Sequence, residues 1–212
     1  MTDSSDLRLD PELGTRLALA PYRADFAERD NAVLDRSSWK FERLQHFEEQ
    51  DDPSRDALAE GRWDDALRLL EEEHDDWLSA VRHKEERRAP FHRIRVVEEP
   101  LTPYMQWELH ALRVQAKAGK GIRVIGADRV REWEPAGGPL PEVVVLGDLV
   151  LYEVLYTDGG VLDGCRRYTD PELIRRWTAF IQGLYEQGED VVSYVDRYVA
   201  HLPSPFSARG QV

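Results

Sequence analysis

Glu108 is the residue whose type and position most invite a chemical reading. It lies in Pro103-Tyr-Met-Gln-Trp-Glu-Leu-His-Ala-Leu, where apolar residues recur at helical spacing. On a wheel of ~100° per residue, Met105, Leu109, Leu112 and Ala116 fall on one side, Tyr104 and Ala111 on the other, and Glu108 between them. Gln106, His110, Arg113 and Lys117 form the solvated face. A carboxylate inside an apolar stripe must be paired or hold its proton abnormally. Arg93 and Arg95 share one face of the preceding strand-like segment and are its expected partners. Such a pair is a structural clamp. Alternatively, with Glu42, Glu99, Tyr104 and Trp107, it lines a polar pocket with an aromatic wall.

Other titratable residues carry weaker signals. His74 falls inside the stripe Trp63, Ala66, Leu67, Leu70, Trp77, Leu78, Val81. That position suits a neutral core histidine, or a ligand or general base if a carboxylate lies within reach. Cys165 is the only cysteine, so neither a disulfide framework nor a multi-cysteine zinc site is available. Its neighbours Arg166 and Arg167 could lower its pKa, yet an isolated thiol is usually inert. The remaining histidines show no metal spacing. Nucleophile-elbow, phosphate-loop and zinc-helix motifs are all missing. Gly119-Lys-Gly121 follows a helix and reads as a helix stop. No cofactor and no metal are expected.

The elements that position these residues read as follows. Residues 1–35 are polar, interrupted by Pro11 and Pro21, and are expected to form a loosely ordered arm. Residues 36–202 read as one α/β domain opening with a helical segment, 36–88, and residues 203–212 as a flexible tail. Trp39 to Phe47 fits neither period cleanly, leaving a short strand or a helix, and 62–84 reads as one amphipathic helix. Phe91–Glu98 alternates like a strand. Thr102-Pro103 caps the Glu108 helix, and Ile122–Ile125 forms the next strand, giving a β–α–β unit with parallel strands. Apolar runs at 143–146, 149–156 and 161–168, joined by Gly147-Asp148 and Thr157-Asp-Gly-Gly160, make an antiparallel meander. Thr169-Asp-Pro-Glu172 reads as a capping box before a helix, and Val191–His201 as a last helix. The expected fold is α/β (or α+β): a mixed sheet with a βαβ unit and a meander, flanked by N-terminal and C-terminal helices.

Net charge is −13, and its distribution is uneven. Residues 1–80 sum to −12, 81–126 to +5 and 127–212 to −6, a basic island between acidic arms. Direct nucleic-acid binding is disfavoured by the overall sign. No apolar run is long enough for a membrane span, and the acidic start lacks signal-peptide character, so a cytoplasmic location is expected.

Arg95-Val-Val-Glu-Glu-Pro-Leu-Thr-Pro-Tyr104-Met-Gln-Trp107-Glu108-Leu, followed by Ala118-Gly-Lys-Gly-Ile-Arg123, resembles the core motif of an actinobacterial family, domain of unknown function 6879. Ser38-Trp-Lys-Phe-Glu42, Trp77-Leu and Thr169-Asp-Pro also fit, so the resemblance spans about residues 36–185. The family's middle strand carries Asp-Phe-Trp-Leu-Phe-Asp. Here Glu142-Val-Val-Val-Leu-Gly-Asp148 keeps only the final aspartate. Members are encoded beside helix-turn-helix regulators in Streptomyces-like bacteria, which implies a regulatory accessory role. The element order also looks like half of a phospholipase D-type domain, but that superfamily's histidine–lysine–aspartate signature is missing.

The expected function is therefore a non-enzymatic cytoplasmic accessory protein. It would bind a partner protein, with a DNA-binding regulator as candidate, or a small anionic ligand; a homodimer stays open. The alternative is an enzyme of secondary metabolism using Glu42, Arg95, Glu99, Tyr104 and Glu108 around one pocket. Half of a toxin–antitoxin pair is a third reading.

Overall fold

A computed structural model describes residues 7–134 and 138–207. Its centre is an eight-stranded mixed sheet, and the segment that fits neither period supplies the strand in the middle. Strand β2 (Ser38–Glu42) pairs parallel with β3 (Phe91–Val97) on one side and antiparallel with β5 (Glu142–Leu146) on the other. β2 is covered on both faces, which removes the alternation by which a half-buried strand is recognised. The segment expected to be helical over 36–88 thus opens with a strand, one of the two readings left open for Trp39 to Phe47.

The β–α–β unit is present. Helix α5 (Pro103–Lys117) connects β3 to β4 (Gly121–Gly126), and β3 and β4 run parallel. Thr102 is the N-cap: its Oγ1 accepts from the Met105 N–H at 3.1 Å, with Pro103 at the first helical position. Gly119, at φ +108°, ends the helix where a side chain would be strained. The meander follows as β5, β6 (Val150–Tyr156) and β7 (Leu162–Tyr168), all antiparallel.

The N-terminal arm is corrected for the residues described. Thr15–Leu17 (β1) pairs antiparallel with β7, and Leu19–Ala32 (α1) is a helix. Pro21 does not break α1, because it sits in the first turn, where no intrahelical N–H is required. α1 has almost no apolar stripe, yet it docks through Tyr22 and Phe26, whose ring centroids lie 5.4 and 5.8 Å from that of Tyr152. Residues 1–6 and 208–212 lie outside the described residues, so the tail expectation can be compared only at 203–207.

The outer helices complete two layers. β8 (Glu189–Asp190) closes the sheet, whose order is β1-β7-β6-β5-β2-β3-β4-β8. Helix α6 (Pro171–Gln187) covers one face, packing Ile174, Trp177 and Ile181 on Phe41, Ile94, Val96 and Val143. Its N-cap is Asp170, which accepts from the Leu173 N–H at 2.7 Å; Pro171 at the first position shifts the cap one residue from Thr169. On the opposite face, α5 packs with α2 (Pro53–Ala59), α3 (Trp63–Glu72) and α7 (Val191–Tyr198), while α1 covers the meander. The expected single helix over 62–84 is two, α3 and α4 (His74–Glu86), separated at Glu73.

Candidate functional site

Phase along α5 directs Glu108 at the sheet, where it meets Arg95. The Arg95 Nε and Nη2 donate to Glu108 Oε2 at 3.0 and 2.7 Å. The remaining Arg95 donors reach the carbonyls of Val96 (3.1 Å) and Glu42 (3.4 Å) and the Met105 sulfur (2.9 Å), and Phe47 lies 5.5 Å from the guanidinium carbon. Arg95 is 0% and Glu108 6% exposed. Burial pushes the Glu108 carboxyl up while Arg95 pulls it down; Arg95 is itself held charged. At 2.7 Å from a guanidinium that cannot give up its proton, we read Glu108 as the carboxylate. The pair is a sealed clamp between α5 and β3.

Two further buried carboxylates, Glu42 and Glu142, lie beside it. Glu42 is buried, with Lys40 ion-paired to its Oε1 and Arg93 Nη1 3.4 Å from its Oε2. Burial alone would raise its pKa, but Arg93, Lys40 and Arg95 outweigh it and hold it down to about 2. Glu142, across the β2–β5 boundary, accepts from the backbone N–H groups of Arg43 (2.7 Å) and Leu44 (2.6 Å) through Oε1. Its Oε2 is buried and makes no hydrogen bond. Burial and the Glu42 charge raise the Glu142 pKa to about 7 against the pull of Arg95 and the two N–H groups.

The open part of the molecule adjoins this network. A pocket of about 600 Å³ lies between α1, α4 and the sheet. Lys40, Glu42 and Arg93 form its charged floor, and Lys120, just past the end of α5, its far wall. Tyr22, Phe26, Phe47, Phe91, Val144, Val154 and Tyr156 supply an apolar lining. Acids at the rim are engaged or solvated. Asp30 accepts from Lys84 at 2.5 Å, Glu48 from Arg55 at 3.2 Å and Glu49 from the Tyr104 hydroxyl at 3.2 Å; Glu85 is exposed. Inside, the cations Lys40 and Arg93 and the amine of Lys120 therefore face one carboxylate, Glu42. Burial, then Arg93 and Lys40, lower the Lys120 pKa to about 7.

The residues singled out from the chain are thus divided. Glu42 and Arg93 line the pocket, while Arg95 and Glu108 lie sealed under it. Tyr104 is buried beside Phe47, and its pKa is raised by burial and by Glu108. The Trp107 indole N–H donates to Ser54 Oγ at 2.7 Å, joining α5 to α2. Glu99 is exposed beside a separate cleft with Arg129 and Arg131. Asp148 lies at the β5–β6 turn and accepts from Thr178 Oγ1 at 3.3 Å on α6. Neither joins the pocket. His74 is corrected from the core stripe to the first residue of α4, with Nδ1 3.2 Å from Asp75 Oδ1 and a side chain 38% exposed. The break at Glu73 resets the helical phase on which the stripe was extended. Cys165 is fully buried, and burial pushes its pKa up to about 12.

Lys40, Lys120 and Glu142 were not singled out from the chain. Lys120 belonged to a Gly-Lys-Gly stop that explained itself, and Lys40 to the segment without a period. For Glu142 there was one usable signal, a carboxylate opening an otherwise apolar run. No group of three or more metal-binding side chains occurs among the described residues. Among the same residues, no helix is long and apolar enough to cross a membrane.

No curated protein and no solved structure matches the chain. Residues 24–196 match the model of a family described as Domain of unknown function (DUF6879). That span contains the Arg95–Glu108 pair, Glu42, Glu142 and nearly all of the pocket wall. The chain belongs to the domain of unknown function 6879 family.

Proposed function

We propose that the protein is a non-enzymatic accessory that binds a small anionic ligand with an apolar body in the pocket over β2 and β3. One observation carries this reading: beside a large aromatic and aliphatic lining, Lys40, Arg93 and Lys120 surround one buried carboxylate, Glu42, while the other acids of the lining are taken up by Lys84 (Asp30), Arg55 (Glu48) and the Tyr104 hydroxyl (Glu49) or are solvent-exposed (Glu85). An anion there replaces water at cations already held in place, and the apolar lining rewards a hydrophobic tail. The enzyme reading centred on Glu108 has little support, because that carboxylate and its arginine are sealed from substrate. The ligand-bound protein would act in the cytoplasm on a partner protein, and a DNA-binding regulator is the candidate. The −13 net charge complements the basic surface of such a partner, while disfavouring direct contact with nucleic acid.

Fluorescence titration with the anionic dye anilinonaphthalene sulfonate tests the pocket, with decanoate as competitor. One saturable site is expected, displaced by decanoate and weakened about tenfold or more by Arg93→Gln, the loss of one charge-assisted contact. Dye binding that does not saturate, or that ignores both decanoate and the substitution, refutes the proposal.

A further inference from the structure

The chain has 28 basic residues but only four lysines, Lys40, Lys84, Lys117 and Lys120. Three of them, Lys40, Lys84 and Lys120, line the pocket. Their surroundings differ. Lys40 is closed on Glu42, and Lys84 reaches both oxygens of Asp30 at 2.5 Å. Lys120 has no carboxylate within ion-pairing distance among the described residues. Its Nζ donates to the neutral Gln115 Oε1 at 3.2 Å and lies 3.6 Å from the centre of the Trp77 ring. On the sheet side it shares the pocket with the fixed charges of Arg93 and Lys40.

Two influences compete at this amine. The Trp77 face and, more distantly, Glu42 favour the ammonium. Burial, Arg93, Lys40 and Lys84 favour the neutral amine and prevail, bringing the pKa to about 7. A desolvated lysine next to other cations is a recurrent arrangement for amine nucleophiles. Here it stands at the wall of a cavity large enough for a small molecule, with an arginine nearby to hold an anion.

We propose that Lys120 captures an aldehyde or ketone bearing a carboxylate or phosphate as an imine, with Arg93 and Lys40 holding the anionic group. The inference rests on the reading of this cavity as an anion pocket. The Nζ lone pair attacks the carbonyl carbon, and the C=O π pair moves to oxygen, which takes one of the two amine hydrogens to give a carbinolamine. The hydroxyl then departs with the second amine hydrogen as water, leaving C=N. One carbonyl compound and one amine yield one imine and one water, so no oxidant or reductant is required. The capture is reversible, which suits a sensor as well as a catalyst.

The test uses the full chain, pyridoxal phosphate as probe at pH 7, trapping with borohydride and site-resolved mass spectrometry. About half of Lys120 is neutral at that pH, against roughly one part in 2,500 of an ordinary lysine. Lower intrinsic nucleophilicity offsets part of this gain, as for thiols, leaving about fifty-fold faster labelling of Lys120 than of Lys117. Pyridoxal, which lacks the phosphate, is expected to show a gap at least tenfold smaller. Equal labelling of Lys117 and Lys120 while the sulfonate dye still binds overturns the capture and leaves the anion pocket standing. Absence of both dye binding and selective labelling overturns both. An equal gap with pyridoxal overturns the role of Arg93 and Lys40. Uniform labelling together with a lowered melting temperature for Lys120→Gln makes Lys120 a structural clasp between α4 and the end of α5, and also overturns the capture.

Discussion

Replacing Glu142 by glutamine imitates the protonated acid while leaving the backbone contacts intact. The amide oxygen can still accept from Arg43 and Leu44, and its NH₂ stands where Oε2 now has no partner. In the folded chain the Glu142 pKa is about 7, against 4.5 for the free side chain. Below pH ~4.5 both folded and unfolded chains carry the proton, and the wild type should match the variant. As pH rises from 4.5 to 7, the unfolded chain releases the proton first while the folded chain still holds it. Stability that is fully present at acid pH is therefore lost across this window, at up to ~1.4 kcal/mol per pH unit. Above pH ~7.5 the deficit levels off on the order of 3 kcal/mol, the cost of ionising a buried carboxyl, increased by the neighbouring Glu42 charge. Urea denaturation of both proteins at half-unit steps from pH 4.5 to 8.5 reads the difference directly. The two curves should coincide at the acid end and separate in favour of Glu142→Gln through pH 7. A constant offset at every pH, or a variant less stable throughout, would refute the placement of a protonated carboxyl at this position.

Two other substitutions probe the same interior. Glu108→Gln or Arg95→Met alone should cost ~3–5 kcal/mol in urea unfolding, because each strands a buried charge. The double variant Glu108→Leu with Arg95→Met should recover most of that loss, and failure to recover would mean that the pair contributes more than mutual neutralisation. Native Cys165 should resist an excess of a thiol reagent at pH 8 and react fully in denaturant; fast native reaction would contradict its burial.

What could be read from the chain depended on whether one period governed a segment. The wheel of α5 turns Glu108 toward an arginine of β3, as observed. The face expected to be solvated, however, is largely covered: Gln106 is buried, His110 and Arg113 are half-buried against Trp63 of α3 and Asp196 of α7, and only Lys117 is exposed. The same wheel assigned the clamp to Arg93 as readily as to Arg95, because both share a strand face. Depth along β3 decides: Arg95 sits under Phe47 and Met105, whereas Arg93 opens on the pocket and pairs with Glu42. His74 was misplaced because a local break at Glu73 leaves no mark in a periodic pattern. α1 was missed for the opposite reason: it docks through two aromatic rings and presents no stripe. Pocket lysines from β2 and from the end of α5 meet only after the sheet is assembled, so spacing along the chain holds no trace of them.

Strand β2 has a kinetic consequence. Its two neighbours are far away in the chain: Phe41 aligns with Ile94 on one side and Val143 on the other. The outermost strand is farther still, with Thr15 opposite Arg167. Closing such long loops costs entropy before the contacts repay it, so folding should be slow for a chain of this size. The middle of the sheet cannot be completed until β5 has been made, and β1 has no partner until β7 emerges. A nascent chain stopped before β5 would expose β2 as an unpaired apolar edge, the kind of surface that recruits chaperones or other strands.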